Sequence, residues 1–272
     1  MYSGSNPISI SHIKQMHSIG DTRFLSPVDY EKIAFSQYNV AEAILQNQKE
    51  SKSIVLVEGL TQDLTPLEMS ITKADDAQYI FPHGLPKTYS ELDDQQKYFL
   101  VTVGGPYTLY YLHLLPNLYK TLTPEEDNEI RSKLEYDNPS KMLSKIYHAD
   151  GSMTKEYDKL INKKRELSAL KLAVQAAIET ENPNILLVFG DAHDFKNRIK
   201  LLSNPAIVFK KNIDTHIAAE KQAFGSDIHF FKQHKISSQD IALLVSCIAY
   251  CLVNHPLHSE TESLSSKVRL SL

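Results

Sequence analysis

The sequence predicts an α/β fold, a mostly parallel central sheet flanked by helices, and three observations carry that expectation. Residues 53–57 (SIVLV) and 185–189 (ILLVF) are short and almost wholly apolar, as strands covered on both faces must be. Helical stretches separate these runs, so strands and helices alternate along the chain. A third run, 8–17 (ISISHIKQMH), opens with β-branched residues alternating with polar ones and carries His17 at or just past its end. In sheets of this kind ligands gather beyond the carboxyl ends of the strands.

The elements follow in order. Ser26-Pro27 opens a helix running to about residue 48, with Ser26 as N-cap and Pro27 at the first helical position. The 53–57 strand ends directly on Glu58-Gly59. The polar stretch 61–98, with Pro66, Pro82, Gly84 and Pro86, reads as short helices and loops inserted into the fold. Residues 99–103 (FLVTV) read as a further strand, followed by Gly104-Gly105-Pro106 and an aromatic helix from Tyr107 to about Tyr119, ended or kinked at Pro116. Thr123-Pro124-Glu125-Glu126 is a capped helix start, and the charged region around 120–160 reads as a helical excursion or lid. A long amphipathic helix is expected over 154–181, stopping before Pro183. The 185–189 strand then leads into Gly190-Asp191-Ala192-His193, residues 206–209 add one more strand, and a closing helix spans 238–253.

Composition bounds the function. The chain has 272 residues, 42% of them hydrophobic, enough for a single α/β domain over 1–272. Lysine and arginine number 29 against 33 aspartate and glutamate, a net charge of -4, so no global field draws the molecule to nucleic acid. Cys247 and Cys251 lie one helical turn apart in an apolar run, which points to packing and not to a disulfide. The apolar run Ile241–Val253 is shorter than the ~20 residues a bilayer span needs. Without a basic, then apolar, N-terminal segment the chain as given reads as cytoplasmic, or as secreted if a leader has been removed.

Three side chains share one feature: His17, Glu58 and His193 each follow a strand-like run. A parallel sheet places all three on one rim, where two imidazoles and a carboxylate can converge on a divalent cation or a polarised water. Gly190 permits a tight turn that presents His193. Asp191 and Asp194 flank that histidine and either orient its ring, bind metal, or cap the following helix. Arg165 belongs to the cluster Lys163-Lys164-Arg165, which is either a solvated face or, at Arg165, a clamp for a carboxylate or phosphate. Tyr107, Tyr110 and Tyr111 either line a pocket or, as aromatic stripes at helical spacing more often do, fill the core. The chain has no G-x-S-x-G elbow, Walker loop or dinucleotide fingerprint, which argues against an α/β-hydrolase, a P-loop enzyme or a Rossmann dehydrogenase.

The ordered series of His17, Ile54-Val55-Leu56-Val57-Glu58-Gly59, Arg165 and Leu187-Val188-Phe189-Gly190-Asp191-Ala192-His193 resembles the Tiki/TraB superfamily, which includes the erythromycin esterase-like and ChaN-like proteins. The likeness runs from about residue 8 to 200, and only these four blocks are specific. It implies an α/β fold with His17, Glu58, Arg165, Gly190 and His193 in one cleft. Tiki-like members are proteases needing manganese or cobalt, the esterase-like members open macrolide lactones, and ChaN-like members bind haem or iron. In the Tiki-like pattern a glycine stands three residues before the first histidine, where this chain has Lys14. The expectation is a hydrolase of a small-molecule or peptide substrate. His17, Glu58 and His193 would hold one divalent metal (manganese, cobalt or zinc) or activate water directly, with Arg165 stabilising the anionic transition state. Gln15 adds a polar group to the cleft. The alternatives are an iron or haem carrier with Tyr110 or Tyr111 as phenolate ligand, or a degenerate binding or signalling module.

Overall fold

The computed structural model describes residues 7–17, 25–135, 139–146, 148 and 154–215. The elements are β1 (Ile8–Gln15), α1 (Pro27–Ser51), β2 (Ile54–Val57), α2 (Ile71–Ile80), α3 (Asp94–Val103), α4 (Gly105–Tyr111), α5 (Pro124–Leu134), α6 (Pro139–Ile146), α7 (Lys155–Tyr157), α8 (Arg165–Glu179), β3 (Asn184–Gly190), α9 (Phe195–Leu202) and β4 (Ile207–Asp214). A 3₁₀ turn covers Tyr89–Glu91, and a π-helical segment, Asp158–Lys164, joins α7 to α8. The closing helix expected over 238–253, with Cys247 and Cys251, lies outside the described residues. Among the described residues no helix is long and apolar enough to cross a membrane.

The fold is α/β, with a four-stranded sheet in the order β2-β3-β1-β4 and every pairing parallel. Strand alternation sends successive side chains to two separate cores. On one face Ile13, Val55, Val57, Leu186 and Val188 pack with α1, α3 and α4. On the other, Ile8, Ile10, Ile54, Leu56, Ile185, Leu187 and Phe189 pack with α8 and α9. Both faces are covered, which is why β2 and β3 read as unbroken apolar runs.

The α8 face against the sheet is built of Ala169, Leu170, Ala173, Ala176 and Ala177. Small side chains bring the helix close to the strands, while Leu167 and Ile178, two of the apolar positions that suggested the helix, are exposed. The apolar run 99–103 is helical and not a strand. Asp93 and Gln96 form a reciprocal capping box that starts α3, and the run completes that helix instead of entering the sheet. The helix after Pro106 stops at Tyr111, short of Pro116, with His113 in the left-handed region at φ 57. The chain then runs beside β2, where Tyr119 N–H donates to Val55 O at 2.9 Å and Val57 N–H to Tyr119 O at 3.1 Å.

The insertion over 61–98 consists of short helices and loops, and Ala77, Phe81 and Leu92 join it to the same core as α1, α3 and α4. The excursion carries its own small cluster of Leu122, Ile130, Leu134 and Leu160. The expected strand at 206–209 extends to Asp214 as β4.

Helices α1 and α4 meet at Gly105, whose N–H donates to Gln37 Oε1 at 2.8 Å. A Cβ at this position would sit 2.3 Å from Gln37 O and 3.1 Å from Ala41 N. Gly105→Ala should therefore force the helices apart and lower stability by about 1–3 kcal/mol. Urea unfolding checks this through a lowered midpoint at constant slope, and an unchanged midpoint would refute the close approach.

Candidate functional site

The carboxyl ends of β1, β2 and β3 are adjacent, because β3 lies between β2 and β1. Their first residues beyond the strands therefore share one rim. Glu58 follows β2 directly, and its side chain is only 12% exposed. Gly190 N–H donates to Glu58 Oε2 at 2.8 Å. His17 Nε2 stands 3.7 Å from the same oxygen, His193 Nε2 lies 3.2 Å from Oε1, and Arg165 Nη1 lies 3.5 Å from Oε1. The fold thus gathers His17, Glu58, Arg165, Gly190 and His193 around one carboxylate.

Gly190 opens the expected tight turn, with His193 N–H donating to Gly190 O at 3.3 Å, but the turn does not need a glycine. Its φ is not among the positive values, and a Cβ there would lie 3.6 Å from Glu58 Oε2 and 3.9 Å from His17 Nε2, ordinary contact distances. Beyond the turn it contributes the N–H it gives Glu58. Asp194 caps α9 by accepting from Asn197 N–H at 3.1 Å, whereas Asp191 pairs with Lys14 at 2.7 Å. Lys14, standing where the Tiki-like pattern has glycine, ties β1 to the loop after β3.

Gln15 is buried, and its Oε1 accepts from Gln37 Nε2 at 3.2 Å. Gln37 also donates to Met16 O at 2.6 Å, while Ser36 Oγ accepts from Met16 N–H at 2.9 Å. Thr215 completes the support, donating to Lys14 O at 2.6 Å and lying 3.0 Å from Ser36 Oγ. These bonds fix the backbone that delivers His17. Tyr110 and Tyr111 pack in the core beside α1, and the Tyr110 hydroxyl donates to Thr65 O at 2.5 Å. Burial raises both phenols above their ordinary value, which disfavours phenolate in the unliganded fold.

Glu166 was not singled out from the sequence, yet it belongs to the site. It is buried on α8; its Oε2 accepts from Arg198 Nε at 2.8 Å, and its Oε1 accepts from Asp194 N–H at 2.9 Å. Glu166 Oε1 also faces His193 Nδ1 at 3.5 Å, an ion-pair separation rather than a hydrogen bond. The signal was available: a glutamate at 166 occupies the same helical stripe as Ala169, Leu170 and Ala173, where a charge has no place unless it is partnered. His12 was missed as well. It is fully buried, edge-on to Phe195 with ring centroids 5.0 Å apart, and burial lowers it to about 4, so it is a neutral ring beneath the rim.

The electrostatics follow from these pairings. His193 is 4% exposed, and burial alone would lower its pKa. Glu166 and Glu58, one at each ring nitrogen, outweigh burial and raise it to about 9, so at neutral pH it is an imidazolium. Burial would raise Glu58, but His17 and His193 hold it well below the ordinary carboxylate range. Glu166 is also lowered, by His193, the Asp194 N–H and Arg198 acting against burial.

His17, Glu58 and His193 have the donor types of a manganese, cobalt or zinc site, with the two histidine Nε2 atoms 3.7 and 3.2 Å from the Glu58 oxygens. Among the described residues no group of three or more His, Cys, Asp or Glu converges as a metal-ligand set would. Glu58 Oε1 faces Arg165 and His193, and Oε2 accepts the Gly190 N–H and faces His17, so a dication there would share the carboxylate with a guanidinium and, if His193 ligated it, would take the place of that ring's proton. Comparison of the chain with protein-family models, curated proteins and solved structures finds no match.

The raised pKa of His193 has a definite sign. A group raised from 6.5 to about 9 on folding contributes stability fully present below pH 6.5 and lost as pH rises through 9. NMR titration of the His193 ring should show a midpoint near 9, and Glu166→Gln should move it toward 6.5. A wild-type midpoint near 6.5 would contradict the paired-carboxylate arrangement.

Proposed function

We propose that this chain is a hydrolase of the Tiki/TraB or erythromycin esterase-like type, cleaving an ester or amide bond by acid–base chemistry at the rim. The observation that carries the reading is the Glu58 carboxylate, buried and approached by His17, His193, Arg165 and the Gly190 N–H together. Such a constellation has little use in a packed core, and it stands where parallel sheets bind their ligands.

The roles divide by exposure and charge. His17 is 44% exposed and lies against Glu58, so its imidazole is both reachable and oriented. It takes a proton from water as that water attacks the carbonyl carbon, and it returns the proton to the leaving oxygen or nitrogen as the scissile bond breaks. Glu58 orients the ring and stabilises the imidazolium formed in between. Arg165 supplies positive charge toward the carbonyl oxygen as it becomes anionic. His193, already protonated, holds Glu58 ionised.

The test is hydrolysis of a panel of carboxylic esters, lactones and peptides by wild type, His17→Ala and Glu58→Gln. Loss of about 10²–10⁴-fold in kcat for each variant is expected, with retained folding checked by circular dichroism. Full activity in Glu58→Gln would end the reading. Elemental analysis of protein purified without chelators, repeated on His193→Ala, tests the metal-free form. One equivalent of manganese, cobalt or zinc in wild type and none in the variant would replace direct acid–base chemistry by a metal centre. A Soret band in the purified protein would favour a haem carrier.

A further inference from the structure

A second concavity lies outside the rim, between α5, the π-helical segment and α8. Its volume is about 530 Å³, within the range of small-molecule sites. Its cationic lining comprises Lys133, Lys159, Lys163, Lys164, Lys171 and Arg198, against the carboxylates Glu126 and Glu129. Leu160 and Leu167 supply apolar wall. This excess of positive charge is local, because the whole chain is net negative at -4.

The pairing inside the groove leaves much of that charge unanswered. Glu129 alone serves both Lys133, at 2.5 Å, and Lys164, while Lys163 turns to Asp158 at 2.9 Å. Among the described residues Lys159 and Lys171 have no carboxylate within ion-pair distance. Several ammonium groups around one hollow repel one another unless a multiply charged anion enters, and a single carboxylate would answer only one of them.

From this charge and shape we infer that the groove binds a di- or triphosphate group, free or carried by a nucleotide. The site stands independently of the hydrolase reading, since none of its lining residues is among the rim residues assigned to chemistry. It is nevertheless connected to the rim. Arg198 lines the groove and pairs with Glu166 at 2.8 Å, and Glu166 faces His193. A phosphate that draws Arg198 toward itself leaves Glu166 more fully to His193, so occupancy of the groove is felt at the rim.

Calorimetric titration of the full chain with inorganic tripolyphosphate, and separately with ATP, at two salt concentrations tests the site. Lys159→Glu/Lys171→Glu should weaken tripolyphosphate binding about tenfold or more, the scale expected when charge-assisted contacts are lost. Tripolyphosphate binding is read directly by heat and not through hydrolysis, so failure here is distinguishable from failure of the proposed hydrolase. Lys49→Glu on α1 is the control for non-specific attraction. No binding by wild type, an unaltered affinity in the double variant, or an equal loss in Lys49→Glu would overturn the site. Tighter binding of ATP would assign the apolar wall to a nucleoside, and equal binding would assign the site to the phosphates alone. A shift of the His193 ring resonances on adding tripolyphosphate is expected, and unmoved resonances with binding intact would overturn the connection to the rim.

Discussion

A carboxylate buried at the end of a parallel strand cannot stand alone, because desolvating an unpaired charge costs more than a single packing contact returns. Glu58 meets that constraint with groups from four places in the chain: His17 beyond β1, Arg165 at the start of α8, Gly190 at the end of β3 and His193 in the loop that follows. The strand order makes this arrangement attainable. With β3 between β2 and β1, the N–H of Gly190 reaches Glu58 from the neighbouring strand, and His17, delivered by β1, meets the same carboxylate across the end of β3. The topology and the charge pairing are therefore mutually dependent: another strand order would leave the carboxylate without its partners.

The legible part of this arrangement was the part with local signals. Doubly covered strands announce themselves as apolar runs, and a charge placed immediately after such a run is carried to the rim by the strand itself, which is how Glu58 and His193 stand out. His17 is subtler, since β1 buries Ser11, His12 and Gln15 despite their polarity and ends two residues earlier. Arg165 came into view through a resemblance in the order of motifs, because its own surroundings, Lys163-Lys164-Arg165, are those of a surface patch. The π-helical segment before it turns Arg165 and Glu166 inward together, and no residue pattern announces that change of helical pitch.

What escaped the sequence depended on partners far away in the chain. Ser36, Gln37 and Thr215 are unremarkable polar residues until α1 and β4 bring them to the end of β1, where they hold the backbone leading to His17. The 99–103 run misled because four apolar residues and a threonine fit either a strand or the last turns of a helix. The deciding signal was upstream, in the Asp93–Gln96 box. Glu166 escaped for the opposite reason: the buried stripe of α8 is made of alanines, whose weak hydrophobic contrast hides a charge placed among them.

Arg165, Glu58, His193, Glu166 and Arg198 form one alternating series of charges, with a cation at each end and an imidazolium in the middle. An alternating series is strongest while its centre keeps its proton, since a neutral His193 would leave each buried carboxylate only its own guanidinium. The raised pKa of His193 and the lowered pKa values of Glu58 and Glu166 are thus three views of a single coupled state. The ends of the series differ in what they face. Arg165 opens on the rim, and Arg198 opens on the lysine-lined groove, so an anion arriving at either end acts on the same central proton. That connection gives the fold a physical route by which events on the outer side of α8 reach the carboxylate at the end of β2.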